Sequence, residues 1–475
     1  MTFTEWLEIV ASWIWGPWLI LLLVGTGSWL TLRLRFVQIR GFFHSIRCIS
    51  GVYDDPQEKG DITHYQALAA ALSATIGTGN IAGVATAIAA GGPGAVFWMW
   101  ITALVGMATK FTCCSLAVQY RDVHEDGSAS GGPMYYLEKG FRPAWLLLSG
   151  GSNHVVRWGY GLGFLFAFFA LLASFGIGNM VQSNSVVGGL RFILPTSISE
   201  PSFPFLGMDI HYLNLSVGIV LSILVALVIL GGIKRIGRVA SKVVPIMCCI
   251  YMLGALIVLI GHIQQIPFAF FLIFKHAFTP TAPVAGFAGC ALSATIRYGV
   301  ARGVFSNEAG LGSAPMAHAA AKTNQPIREG YVAMLGPFID TIVVCTMTAL
   351  IIIVTGAWES GLNGADLSCL AFRTGLGWGH WIVSLGLIFF AYSTILSWCY
   401  YGDRCAEYLF GTWAVIPYRW LYSLAVILGS VGALKVIWTL ADIFNGLMAL
   451  PNLIALLALS GWVKKAMKTY DSSFR

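Results

Sequence analysis

Eleven apolar runs, most about 20 residues long, dominate this chain, at roughly 13–32, 66–91, 95–119, 158–187, 212–231, 243–263, 284–305, 331–356, 379–400, 419–436 and 441–462. A helix of that length crosses the hydrocarbon layer of a bilayer. Lipid offers the backbone no hydrogen-bond partner, so a spanning segment must be a helix or part of a closed barrel. None of the runs alternates apolar with polar residues as barrel strands do. Only 10% of the 475 residues are charged and 57% are hydrophobic, whereas a water-solvated domain carries about 25% charged residues. The chain therefore reads as an all-α polytopic membrane protein with about 11 transmembrane helices, and the lipid bilayer is its first partner.

Charge sets the direction of the spans. The net charge of +7 sits in short loops, which points to membrane orientation and not to nucleic acid. With the amino terminus outside, the inside segments hold Arg33, Arg35, Arg40, Arg47 and Lys59, then Arg121, Lys139, Arg142 and Arg157, then Lys234, Arg235, Arg238 and Lys242. Further along they hold Lys322 and Arg328, Arg404 and Arg419, and finally Lys464, Lys465 and Lys468. The outside segments hold little beyond Arg191, Lys275 and Lys435. An odd number of spans follows, with the carboxyl terminus inside. Glu5 and Glu8 precede the first run and arginines follow it, the reverse of a cleaved signal peptide, so that run is expected to stay as a helix. The ten cysteines show neither metal spacing nor a disulfide framework.

Two of the runs share a hexapeptide. Ala71-Leu72-Ser73-Ala74-Thr75-Ile76 recurs 220 positions later as Ala291-Leu292-Ser293-Ala294-Thr295-Ile296, and the match resumes at Gly83/Gly303 and Val84/Val304. Chance among residues common in membrane helices is the competing explanation. The copies fall in spans two and seven. Five spans separate them, so they run in opposite directions, as in transporters built from inverted repeats. The expected organisation is an extra helix and cytoplasmic loop at 1–65, a first five-helix unit at 66–263 (spans 2–6) and an outside interfacial segment at 264–283. A second unit at 284–462 (spans 7–11) and a cytoplasmic tail at 463–475 complete it. Within the interfacial segment, the Phe-rich stretch 267–276 is expected to be a helix lying on the core.

Gly77-Thr78-Gly79-Asn80 lies inside span two, where each glycine weakens a helix by about 1 kcal/mol relative to Ala. An unwound turn there would expose amide N–H groups that attract a carboxylate, and carbonyls that can hold a cation. Close helix packing through small residues is the competing explanation. Thr75 and Asn80 are polar in the same span and are either ligands or cross-helix hydrogen bonders. Span nine carries Tyr392-Ser393-Thr394, whose hydroxyl oxygens suit a hard cation such as Na⁺; back-bonding within the helix competes, although two adjacent hydroxyls are not expected to share one back-bonding position. Asp340, inside span eight, is a functional candidate by its depth, or else a structural carboxylate tied to Arg297 or Arg302. Glu308 sits in the polar, glycine-rich stretch 306–313, expected at the cytoplasmic end of span seven as a gate or a cap. Near the inside face, His64 and His318 are expected to be solvated or locally bonded.

Several motifs resemble the alanine or glycine:cation symporter family. They are Gly77-Thr78-Gly79-Asn80-Ile81-Ala82-Gly83, Gly106-Met107-Ala108-Thr109-Lys110-Phe111, Gly131-Gly132-Pro133-Met134-Tyr135-Tyr136, the run from Arg302 to Pro315, Gly336-Pro337-Phe338-Ile339-Asp340-Thr341, and Tyr400-Tyr401-Gly402-Asp403-Arg404-Cys405. The resemblance implies a leucine-transporter-type 5+5 inverted repeat plus one N-terminal helix. It further implies Na⁺-driven uptake of a small neutral amino acid, alanine or glycine, across the inner membrane of a prokaryote. Carried onto these residues, it places the substrate at Thr75, Gly77, Thr78, Gly79 and Asn80, with the amides of Thr78 and Gly79 holding its carboxylate. It places Na⁺ on the carbonyls of Ser73 and Ile76 and the hydroxyls of Ser393 and Thr394. Asp340, Glu308 and Arg297 are left as gate or coupling residues. Proton coupling, a different solute and a transporter-derived sensor are the alternatives. No organic cofactor and no enzymatic chemistry are expected.

Overall fold

The computed structural model describes residues 3–141, 154–205, 208–283, 286–432 and 435–472. Among these, nine helices are long and apolar enough to cross a membrane, and the bent pair His64–Thr75 plus Gly79–Gly91 makes a tenth. The eleventh is made of the short helices Leu292–Asn307 and Ala314–Ala319. Of the charges used for orientation, Arg142 lies outside the described residues, as do the side chains of Arg157 and Lys435.

Span two begins where the Thr63 hydroxyl accepts a hydrogen bond from the Gln66 amide N–H at 3.2 Å and the Thr63 amide N–H donates to Gln66 Oε1 at 3.1 Å, a reciprocal cap that fixes the helix start. The helix stops at Ile76, whose backbone is extended. It restarts at Gly79 after a 54° bend. Span seven is corrected. Its helix starts at Leu292, not 284, and stretch 306–313 is a break within the span and not its end. Glu308 (φ 53), Gly310 (φ 94) and Gly312 (φ 95) are left-handed and interrupt the helix.

Spans two and seven lie antiparallel. At one end Ile62 bridges Ala321, and the Lys322 amide donates to the Ile62 carbonyl at 2.7 Å. In the middle, a methyl group added at Gly79 would sit 3.2 Å from Ser306 Cα; at the far end one added at Gly91 would sit 3.3 Å from Thr295 Cα. The two breaks therefore face each other. The shared hexapeptide does not mark equivalent places: Ala71–Ile76 runs into its break, whereas Leu292 opens a helix that continues to Asn307. The inversion holds, although the six-residue match is out of register with it.

The first span extends over Phe3–Arg33, with a kink at Gly16-Pro17. The expected Phe-rich helix is present as Ile266–His276, with Ala269 and Ile273 buried and Phe268, Phe271 and Phe274 exposed. A further helix, Gly364–Gly375, was not legible in the sequence. It crosses the restarted half of span two, where the Ser368 hydroxyl donates to the Ile81 carbonyl at 2.9 Å.

Candidate functional site

Three stretches of π-helix surround the break of span two: Gly79–Gly83, Gly176–Met180 in span four and Phe338–Cys345 in span eight. Such insertions cluster at functional sites because they re-aim side chains. Beside them is a small cavity lined by Thr75, Gly77, Thr78, Gly79, Glu308 and Thr394, with Ile177, Phe305 and Trp398 as apolar walls. Its volume of about 20 Å³ holds roughly one water. Thr78 and Gly79 open the restarted half-helix, so their amide N–H groups lack helical partners. Thr75 lines the cavity while its hydroxyl bonds back to the carbonyls of Ala71 and Leu72, each at 3.3 Å.

Asn80, of the expected substrate set, is engaged by groups of the protein itself. Its Oδ1 accepts from the Gly77 amide at 2.9 Å, and its Nδ2 donates to Asp340 Oδ1 at 2.7 Å. It braces the unwound turn from behind, and the cavity lining does not include it. Asp340 is fully buried and also accepts from Ser306 at 2.8 Å and from Thr341 at 2.7 Å. The carboxylate thus ties span eight to both breaks through neutral donors, and not to Arg297 or Arg302. Those arginines line a separate pocket of about 190 Å³ with Asp442, and the Arg302 guanidinium lies 5.7 Å from the centre of the Phe305 ring. Phe305 belongs to both linings; it is the partition between them.

Glu308 faces the cavity from the break of span seven. Trp398 Nε1 donates to its Oε1 at 3.0 Å, and the Ser313 hydroxyl donates to its Oε2. Next to the cavity lies a cluster of neutral oxygens. The Ser73 carbonyl accepts from the Thr394 hydroxyl at 3.1 Å and from the Ser393 hydroxyl at 3.3 Å, and the Ser73 hydroxyl donates to the Ser393 carbonyl at 2.7 Å. Both span-nine hydroxyls also approach the Phe390 carbonyl, each at 2.9 Å. That corrects the expectation that they could not share a back-bonding position: for residues i and i+1, the carbonyls three and four back are the same group. Ile76 is buried at the end of the first half-helix. The carbonyls of Ser73, Phe390 and Ser393 and the hydroxyls of Ser73, Ser393 and Thr394 thus lie together, and no carboxylate of the described residues is hydrogen-bonded to them. Among the described residues no group of three His, Cys, Asp or Glu could hold a metal ion.

Several lining residues escaped the sequence reading: Ile177, Gln182, Phe305, Trp398 and Asn445. Gln182 Oε1 and Asn445 Oδ1 are buried without a hydrogen-bond partner, an uncommon state for polar atoms. A signal was present in span four, where Gly176-Ile177-Gly178-Asn179 repeats the Gly-x-Gly-Asn of span two. Of the two expectations for His64 and His318, solvated or locally bonded, the bonded one holds. Both are buried, and Glu329 accepts from His318 Nδ1 at 2.6 Å and pairs with His64 Nδ1.

A family model described as the sodium:alanine symporter family matches residues 1–475. The sodium/alanine symporter AgcS of Methanococcus maripaludis is 46% identical over 475 residues, covering 99% of this chain and 98% of that protein. The amino-acid carrier protein AlsT of Bacillus subtilis is 36% identical over 472 residues, covering 98% and 92%. The crystal structure of MhsT in complex with L-phenylalanine matches with a TM-score of 0.53 at 14% identity, over 85% of this chain and 90% of that one. At that identity the likeness speaks for the fold alone, which is of the leucine-transporter type.

Proposed function

This chain belongs to the sodium:alanine symporter family, and we propose that it couples the inward movement of Na⁺ to uptake of alanine or glycine by alternating access. The observation that carries this is the junction of Ser73 with Ser393 and Thr394, one residue of which, Thr394, also lines the cavity. A cation drawn to those oxygens would hold span two against span nine and order the turn that receives the amino acid. Linkage then makes the amino acid strengthen ion binding by the same factor.

In this scheme the amides of Thr78 and Gly79 take the substrate carboxylate, at the positive end of the half-helix. Glu308, Gln182 and Asn445 offer acceptor oxygens for the ammonium group. Ile177, Phe305 and Trp398 limit the side chain, since one methylene in an apolar pocket changes affinity by about 1–3 kcal/mol. Phe305, beneath Arg302, acts as the lid toward the Asp442 pocket. With the basic loops facing the cytoplasm, as the positive-inside rule favours, that pocket would open to the outer side and the carboxyl terminus would be cytoplasmic.

The Glu308 carboxylate in the lining favours proton coupling as the second reading. Radiolabelled alanine uptake into proteoliposomes separates the two. An inward Na⁺ gradient should drive accumulation at constant pH. Equal accumulation under a pH gradient without Na⁺ would replace Na⁺ by H⁺.

A further inference from the structure

At the basic end of the bundle, a cleft of about 460 Å³ lies between the end of span one and the last helix, lined by Arg33, Arg35, Arg40, Lys464 and Lys468. Asp471 is the one carboxylate lining it among the described residues. It is engaged by Arg40 at 3.6 Å and by the Tyr331 hydroxyl at 3.0 Å. Arg33, Arg35, Lys464 and Lys468 have no carboxylate partner among the described residues, and Arg33 Nε is buried without a hydrogen bond. Gathering five cations around one concave space costs electrostatic energy that an anion would offset. The backbone is also held unusually here. Arg35 and Phe36 are consecutive non-glycine residues with φ of 55°, each costing about 1–2 kcal/mol.

We propose that this cleft binds the phosphate-bearing headgroup of an anionic phospholipid. The cleft sits where both helices change from apolar to basic sequence, the change that marks the headgroup region of a span. Around it, large apolar side chains face outward: Trp29 (49% exposed), Leu32 (62%), Phe36 (48%) and Ile39 (70%). A free phosphate ion gains nothing from them, whereas acyl chains attached to a headgroup in the cleft would lie along them. The Arg33 guanidinium sits 5.6 Å from the centre of the Trp29 ring, joining the charged and apolar parts, and Trp is a residue of membrane interfaces. Clusters of basic residues at the ends of spans attract anionic lipids. The inference stands independently of the transported solute and ion.

The test uses the full chain purified in detergent and exposed to dioleoyl phosphatidylglycerol, dioleoyl phosphatidylcholine or inorganic phosphate, with retained lipid read by native mass spectrometry. Wild-type protein should retain phosphatidylglycerol over phosphatidylcholine. Each basic residue near an anionic surface strengthens binding about fivefold. The triple variant Arg35→Gln, Lys464→Gln, Lys468→Gln should therefore hold phosphatidylglycerol on the order of a hundredfold more weakly. Lys464 and Lys468 are exposed, so the double variant at those positions repeats the test if the triple one misfolds, with a drop of about twenty-five-fold. Ile39→Ser should weaken lipid retention with no effect on phosphate. Equal retention of the two lipids, or undiminished retention by the variants, overturns the proposal. Displacement of the lipid by millimolar phosphate would make the occupant a free anion and overturn it as well.

Discussion

Replacing Gly77 by Ala would press a methyl group into the proposed cation site. The new Cβ would lie 2.7 Å from Thr394 Oγ1, well inside contact distance. Gly77 does not have a positive φ, so the backbone tolerates Ala and the effect is steric. The Thr394 hydroxyl is held by the Phe390 carbonyl at 2.9 Å and the Ser73 carbonyl at 3.1 Å. Thr on a helix divides between two χ1 rotamers, so the hydroxyl must swing to the other one or the turn must shift. Either movement removes one oxygen from the cation. A hydrogen bond to a charged group is worth about 1.5–3 kcal/mol, which serves as the scale for one lost ligand. At 1.4 kcal/mol per factor of ten, half-maximal uptake should then need about ten- to a hundredfold more Na⁺. Labelled alanine uptake at saturating alanine, titrated with Na⁺, measures this. Gly188→Ala, where a methyl meets nothing within 4 Å, is the control and should behave as wild type. In a Thr394→Ala background the Gly77 change should add little, because the clashing atom is gone. An unchanged Na⁺ dependence, or full additivity of the two changes, would refute the assignment of Thr394 as an ion ligand.

Three further outcomes follow from the geometry. Gly79→Leu should abolish uptake in a protein that still purifies as a folded species, since even a methyl there is 3.2 Å from Ser306 Cα; normal uptake by a folded variant would remove the backbone cradle. Trp398→Leu removes an apolar wall and the indole donor to Glu308, so leucine should compete for labelled alanine uptake about tenfold better than in wild type; an unchanged inhibitor panel would mean that Trp398 does not limit side-chain size. Glu329→Ala leaves two buried imidazoles without their acceptor, at about 1–3 kcal/mol each. It should lower the thermal unfolding temperature of the detergent-solubilised protein, and an unaltered temperature would show that this triad holds nothing together.

The number and alternation of the spans were legible because bilayer thickness and backbone hydrogen bonding act on local sequence, and twenty apolar residues satisfy both wherever they occur. The break of span two was legible for the same reason, since Gly77 and Gly79 weaken a helix whatever surrounds it. Span seven was misplaced because stretch 306–313 faces the other break and not lipid, so hydropathy has no hold on it; Arg297 and Arg302 are tolerated there because they line a pocket. Partners were the harder part. Asn80 and Asp340 are both polar residues within spans, yet whether one meets the substrate or the other depends on helix rotation, which no periodicity in these nearly all-buried segments specifies. Gln182, Trp398 and Asn445 come from spans four, nine and eleven, and they converge only once the two halves have packed. Local composition decides which segments leave water; long-range packing between antiparallel halves decides which of their polar atoms meet.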